Sequence, residues 1–348
     1  MILSGSDILV RTLIEQGTDL VFGYPGGQVV NIYDELYKAQ DRIHHVLTAH
    51  EQGAAHAADG YSRVTGKVGV VIATSGPGAT NLVTGIATAM LDSIPVVAIT
   101  GNVPCSLIGK DSFQEIDITG ITLPITKHNY FVNSVEELAD VVRDAYRLAL
   151  SGRQGPVLID IPSDVQKDLC DYEPLEKVLP NEPFPAKDIR IEQAVECINA
   201  SSRPFIYFGG GLVSSDAASE MLELADLIDA PIGCSMMGLA AIPTDNPRFL
   251  GMQGMHGRYS CTTAMSNADC IIALGTRFNN RVTGNKNSFA LKTKIIQIDV
   301  DGSELNKNVN VTHGLRGDIK LTLKRMLPLI KSTKHPAWNA KICEYKAY

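Results

Sequence analysis

Short, nearly unbroken apolar runs alternate along the chain with longer stretches in which apolar residues recur every three or four positions. The runs are rich in β-branched residues and mark strands buried on both faces. They fall at 68–73, 94–100, 156–161, 204–208, 270–274 and 294–300. The amphipathic stretches between them predict helices, and two have legible ends. Ser134, Val135, Glu136 and Glu137 form a capping box opening a helix that carries Leu138, Val141, Val142, Tyr146 and Leu148, and Gly152 closes it. An earlier helix starts near Ser6, places Ile8, Leu9 and Leu13 on one side, and ends at Gly17. Strands alternating with helices predict an α/β fold: two parallel-sheet domains with helices on both faces.

Periodicity lapses near residues 166–188, where Pro174, Pro180, Pro183 and Pro185 stand among several acids. This stretch reads as a linker between domains at 1–165 and 189–330, and 331–348 as a polar tail. A chain of 348 residues gives each domain enough length for its own core. Composition (45% hydrophobic, 20% charged) excludes disordered, collagenous and disulfide-scaffold classes. A net charge of −7 without a basic block argues against nucleic acid as a partner. No apolar run reaches the ~18 residues of a membrane span, and the first residues lack a signal-peptide layout. The seven cysteines are scattered without a CxxC pair, so a reducing, cytoplasmic location is expected. Histidines never fall in ligand spacing, so no metal site is assigned to this chain.

Four groups of residues could carry chemistry. Glu51, in the string TAHEQGAAHAADGY at 48–61, opens a helix lined by Ala54, Ala55, Ala57 and Ala58. It is either a helix N-terminal charge stabilised by the dipole or a desolvated carboxylate suited to proton exchange with a bound heterocycle. The turn 74–81 follows a strand and offers a nest of backbone N–H groups, or is simply a turn needing positive φ. It lacks a P-loop lysine. The charged loop 109–115 lies beyond the carboxyl end of a strand, where ligands sit in such sheets. In the second domain, Gly209, Gly210 and Gly211 follow a strand, and Asp299 ends another. The first is a weak dinucleotide signal; the acid could bind ribose or cap a helix.

In this order, the strings FGYPGG (22–27), HEQGAAHAADGY (50–61), SGPGATN (75–81), GKDSFQE (109–115), GPVLIDIP (155–162), GMHG (254–257) and TRFNNRVTG (276–284) resemble those of one family. It is the catalytic subunit of acetolactate synthase (acetohydroxyacid synthase), of the biosynthetic, FAD-containing type. The resemblance spans about residues 1–330. It implies a pyrimidine-binding domain at 1–165 and a Rossmann-like, FAD-binding central domain at 189–330. The implied reaction joins pyruvate to pyruvate or 2-oxobutyrate, with loss of CO₂, in isoleucine and valine biosynthesis. By resemblance, Glu51 hydrogen-bonds the aminopyrimidine of thiamine diphosphate and so promotes removal of the thiazolium proton, while Pro77 and Asn81 line the pyrimidine. Gly26, Gly27, Phe113 and Gln114 face the reacting carbonyls, and Arg281 grips the second acid's carboxylate. A structural flavin is contacted from Arg153, Gly210, Gly211, Ser235, Met236, Met237, Met255, His256, Gly275, Arg277, Arg281, Val282, Asp299, Val300 and Asp318.

The family usually has lysine at Ser163, an aspartate where Asn279 and Asn280 stand, and arginine at Ala49. A third domain, holding Mg²⁺ and the diphosphate, has no counterpart in these residues, so 331–348 is expected to begin a linker to it and this chain to be inactive alone. A homodimer or tetramer, with a regulatory small subunit, is implied. Two other readings stand beside this one: a non-catalytic remnant that binds FAD or partners, and another 2-oxoacid enzyme such as a pyruvate oxidase.

Overall fold

The β-branched runs form the centres of two sheets in a computed structural model. It describes residues 1–285, 289–290 and 292–348, in two units, Met1–Glu182 and Pro183–Tyr348. In the first unit six parallel strands lie in the order His44–Leu47, Leu20–Tyr24, Gly69–Ala73, Val96–Asn102, Val157–Pro162 and His128–Phe131. The helices Gly5–Glu15, Val30–Lys38 and Val135–Leu150 cover one face through Leu9, Leu13, Ile32, Leu138 and Val142. Glu51–Thr65 and Val83–Asp92 cover the other through Ala54, Ala55, Ala58, Ile86 and Ala89.

The small residues of the Glu51–Thr65 helix bring it unusually close. A Cβ on Gly69 would lie 2.1 Å from Ala58 O, and one on Gly85 would lie 2.3 Å from Ala55 Cβ. The capping box forms as read, with Glu137 reaching back to the Ser134 backbone. The first helix begins one residue earlier than expected, capped by Ser4, whose hydroxyl accepts from Asp7 N, and stops at Glu15.

In the second unit the parallel order is Phe249–Met252, Ile232–Cys234, Pro204–Phe208, Cys270–Leu274, Lys294–Asp299 and His313–Arg316. Numbered along the unit this is 3-2-1-4-5-6, the doubly wound order whose ligands sit where the winding reverses. Asp188–Asn199, Ala218–Leu227 and Ile319–Met326 cover one face. Tyr259–Asn267 and Pro336–Ala347 cover the other.

Two boundaries differ from expectation. Residues 166–188 are not a free linker. Gln166 and Tyr172 are buried, and Leu169–Asp171 pairs antiparallel with Ile2–Ser4. The division falls after Glu182, and Asp188 already opens a helix. A three-residue strand among prolines leaves no periodicity to read. Nor is 331–348 only a polar tail. Trp338 and Ile342, four residues apart, turn inward from the Pro336–Ala347 helix, and Trp338 Nε1 donates to Pro204 O at 3.1 Å. Six short strands (Leu20–Tyr24, His44–Leu47, His128–Phe131, Ile232–Cys234, Phe249–Met252 and His313–Arg316) were not legible, because most carry polar residues or only three or four positions.

Asp160, 1% exposed, lies in the strand Val157–Pro162. It accepts from Thr100 Oγ1 at 2.7 Å and Asn102 Nδ2 at 2.6 Å. Burial pushes its carboxyl up to about 7. The folded chain thus holds this proton more tightly than the unfolded chain, whose carboxyl titrates near ~4. Stability contributed by this group is present at low pH and is lost as pH rises through about 7. Asp160→Asn keeps the shape without the charge. Its stability relative to wild type is expected to rise between pH ~4 and ~7, by on the order of 1–4 kcal/mol. Denaturant unfolding across that range checks this, and a pH-independent difference contradicts it.

Candidate functional site

In the first sheet the winding reverses between Leu20–Tyr24 and Gly69–Ala73, so the chain diverges there and leaves a crevice at the carboxyl ends. The segment 25–29 leaves the first of these strands, and the turn 74–78 leaves the second. Gly26 lies flat on Thr74: a Cβ there would fall 2.5 Å from Thr74 Cβ. Gln28 N donates to Thr74 Oγ1 at 3.1 Å, which ties the two loops together. A Cβ on Gly27, by contrast, would meet nothing within 4 Å. Packing therefore requires glycine at 26, whereas at 27 it leaves open space for something other than this unit.

Glu51 enters this crevice from the strand beyond. It is the first residue of its helix, so the dipole favours its charge, and it is only 9% exposed. Its Oε2 accepts from Asn81 Nδ2 at 3.0 Å. Asn81 ends a five-residue helix opened by Pro77, after Gly76 at φ +58. A Cβ on Gly78 would lie 3.3 Å from Glu51 Oε1, so that glycine keeps the second carboxylate oxygen uncrowded. Gly76 also admits the loop 109–115, since a Cβ there would fall 2.8 Å from Gln114 O. In that loop the Glu115 carboxylate accepts from Gly109 N and Ser112 N, and these bonds hold its pKa below the usual range. Phe113 is 85% exposed at the tip.

The structure thus brings together Gly26, Glu51, Pro77, Asn81 and Gln114, with Gly27 and Phe113 at the margin. It adds Tyr33 and His45, which the sequence reading passed over, and gives a part to Ser75 of the turn 74–81. Burial and then the Glu51 charge push the Tyr33 phenol far above its usual range, which places Tyr33 within the carboxylate's field. His45 packs edge-on to Tyr33 at 4.8 Å, and burial pushes its imidazole down. The Ser75 hydroxyl is buried with no hydrogen-bond partner. A tyrosine on the helix directly after FGYPGG was the available signal for Tyr33; nothing in sequence marks His45.

In the second unit the reversal lies between Pro204–Phe208 and Cys270–Leu274. Gly211 and Gly275 meet there backbone to backbone: a Cβ on Gly211 would lie 2.6 Å from Gly275 Cα, and Gly211 N donates to Gly275 O at 3.1 Å. Ser235, Met236 and Met237 follow the neighbouring strand, with Gly210 against the Met237 side chain. Met255 and His256 follow the edge strand Phe249–Met252. Arg277 follows Cys270–Leu274, Asp299 ends Lys294–Asp299 with Val300 next, and Asp318 follows His313–Arg316. All these positions share the carboxyl end of one sheet. Met236 and Met255 are largely exposed there.

Individual roles are equally specific. Asp318 Oδ1 caps the last helix at Leu321 N, 2.8 Å away, and Asp299 Oδ1 accepts from Asp301 N at 2.9 Å. Asn279 caps the turn carrying Arg281 and Val282, accepting from both backbone N–H groups. Arg281 is exposed and donates to Met255 Sδ at 3.3 Å. Gln253, not singled out from sequence, has a buried carbonyl oxygen with no partner, and it precedes Gly254, where a Cβ would fall 2.4 Å from Arg281 O. Arg153 belongs to the first unit, where it donates to Ser93 Oγ at 2.9 Å.

Two reversed-winding sheets with their glycine turns and a buried carboxylate in one crevice define a class. The chain belongs to the thiamine pyrophosphate enzymes: residues 3–121 match their N-terminal TPP binding domain and residues 191–326 their central domain. Within that class it is similar to the acetolactate synthase large subunit of Corynebacterium glutamicum, 46% identical over 95% of this chain and 53% of that protein. The acetolactate synthase of Arthrospira platensis is 46% identical over 99% of this chain and 60% of its own length. A probable acetolactate synthase large subunit of Methanocaldococcus jannaschii is 43% identical over 99% and 59%. The chain therefore spans a little over half the length of the relatives it matches. Among the described residues no helix is long and apolar enough to cross a membrane.

The contrast between neighbouring glycines is testable. Gly26→Ala should destabilise the first unit by roughly 1–3 kcal/mol through overpacking against Thr74. Gly27→Ala should leave stability within about 0.5 kcal/mol of wild type, or raise it slightly, because its Cβ meets nothing within 4 Å. Thermal melts separate the two. Equal destabilisation by both would contradict the open space at Gly27.

Proposed function

We propose that this chain supplies the pyrimidine side and the flavin cradle of an acetolactate synthase, which condenses pyruvate with pyruvate or 2-oxobutyrate. The carrying observation is the Glu51 carboxylate, buried at the reversal point, fixed through one oxygen by Asn81 and left uncrowded at the other. Thiamine diphosphate, when bound, supplies the thiazolium carbon that adds to a 2-oxoacid and lets CO₂ leave. The chain's own residues would orient it. Glu51 would hold a proton at the aminopyrimidine ring nitrogen, with Pro77 and Asn81 fixing the ring plane. The orphaned Ser75 hydroxyl and the open space at Gly27 suit a ligand that the unit leaves room for. The Gly26–Gly27 backbone, with Phe113 and Gln114, would stabilise charge on the reacting carbonyls.

In the second unit the close Gly211–Gly275 contact, the exposed Met236 and Met255, and the buried unpartnered Gln253 oxygen suit a dinucleotide laid across the reversal point. FAD fits this cradle, and the reading keeps it structural. Arg281, exposed and donating to Met255 Sδ, would receive the acceptor's carboxylate. Mg²⁺ and the diphosphate are assigned to a region outside these residues in a protein of the relatives' length, and that protein is read as a cytoplasmic oligomer, a dimer or tetramer able to take a regulatory small subunit.

Glu51→Gln tests the reading in the complete enzyme containing this chain. The wild type should form acetolactate from pyruvate, and the variant should lose at least ~100-fold in kcat with its melting temperature retained. Activity undiminished in the variant, or a wild type that makes no acetolactate, contradicts the proposal. Anaerobic bleaching of the flavin by pyruvate would instead indicate an oxidase.

A further inference from the structure

Gln166 lies outside every motif that carries the reading above, in a stretch whose composition suggests a linker. Its side chain is 1% exposed, yet it is the one that grips the loop after Leu20–Tyr24. Nε2 donates to Gln28 O at 2.8 Å and to Ile161 O at 2.9 Å. Both amide hydrogens are thus spent on main-chain carbonyls, one at the end of a core strand and one in the short turn that follows Gly26. This fixes the amide's orientation, since the reverse would set Oε1 against two carbonyl oxygens. The remaining Oε1 is buried without a partner, a cost that a residue serving only to fill space would not incur.

Gln166 is itself anchored on the other side. Its carbonyl oxygen accepts from Ser6 N at 2.9 Å and from Ser6 Oγ at 3.0 Å, and its N–H donates to Pro162 O at 3.2 Å. The Gln28 peptide is consequently clamped at both ends. Its N–H is held by Thr74 from the turn leading to Pro77 and Asn81, and its carbonyl by Gln166. Gly101 makes room for that carbonyl, because a Cβ at 101 would fall 2.2 Å from Gln28 O. The residues immediately before the clamped peptide are Gly26 and Gly27. Glycine backbone has little intrinsic preference, so its direction must be imposed from outside.

We propose that Gln166 is a positioning residue: by holding Gln28 O it sets the aim of the Gly26–Gly27 backbone at the reacting carbonyl, without itself touching substrate or cofactor. The proposal rests on the functional reading above for its catalytic consequence, and on the clamp alone for its structural one. Displacement of these backbone groups by a fraction of an ångström should appear in kcat, because transition-state stabilisation is sensitive to placement, and much less in KM.

The test uses the complete enzyme with Gln166→Met, which removes both donors, and Gln166→Glu, which keeps the shape but accepts rather than donates when ionised. Steady-state kinetics with pyruvate is read beside backbone hydrogen exchange of the cofactor-free protein. Both variants should lose roughly 10- to 100-fold in kcat, with KM within about threefold of wild type. Exchange should quicken at residues 26–29 while the helix Glu51–Thr65 keeps its protection. Wild-type kcat in either folded variant, unchanged exchange at 26–29, or loss of protection throughout the unit would overturn the proposal. A wild-type enzyme that forms no acetolactate would sink the functional reading alone, since exchange at 26–29 still decides the clamp.

Discussion

The first unit depends on how closely a helix can approach a sheet. Ala54, Ala55 and Ala58 on one side, and Gly69 and Gly85 opposite them, allow the Glu51–Thr65 helix to lie almost in backbone contact with its neighbours. A larger residue at any of these positions would lift the helix and with it the carboxylate at its first turn. Because the helix lies low, Glu51 reaches the crevice where the winding reverses, and Asn81 of another turn can fix it. Burial, the helix dipole and a single amide donor then act on one side chain. The alanine stripe is therefore part of the site as much as part of the core.

The same economy of side chains governs both units. Each sheet reverses its winding once, and each reversal is flanked by glycines whose absent Cβ atoms let two backbones meet: Gly26 on Thr74 in the first, Gly211 on Gly275 in the second. Around these contacts, buried glutamines serve as main-chain clamps. Gln166 holds Gln28 O, and Gln297 donates to Thr276 O at 3.1 Å beside Gly275. A primary amide suits this task, as it offers two hydrogens to carbonyls without bringing a charge into the interior.

The long buried strands and the capped helix were legible because their signals are local: β-branched runs for Pro204–Phe208 or Cys270–Leu274, a Ser–Glu spacing for Val135–Leu150. The short edge strands were not, since three or four residues such as His313–Arg316 cannot establish a period. Glu51, Asn81 and the glycine turns were visible as strings. Their meeting in one crevice was not a property of any string and followed only from strand order. Gln166 acts through Gln28, far along the chain, and His45 through its packing on Tyr33, so nothing in their sequence neighbours announces either. Trp338 illustrates the same limit: a lone aromatic in polar surroundings reads as tail until its partner, Pro204 O, is known.

The central claim concerns where one ring nitrogen sits. A crystal structure of the complete enzyme with thiamine diphosphate and Mg²⁺ tests it most directly. The account predicts a Glu51 carboxylate oxygen within ~2.6–3.0 Å of the aminopyrimidine nitrogen, with Asn81 still donating to the other oxygen. A pyrimidine bound elsewhere, or Glu51 turned away from it, would contradict the account.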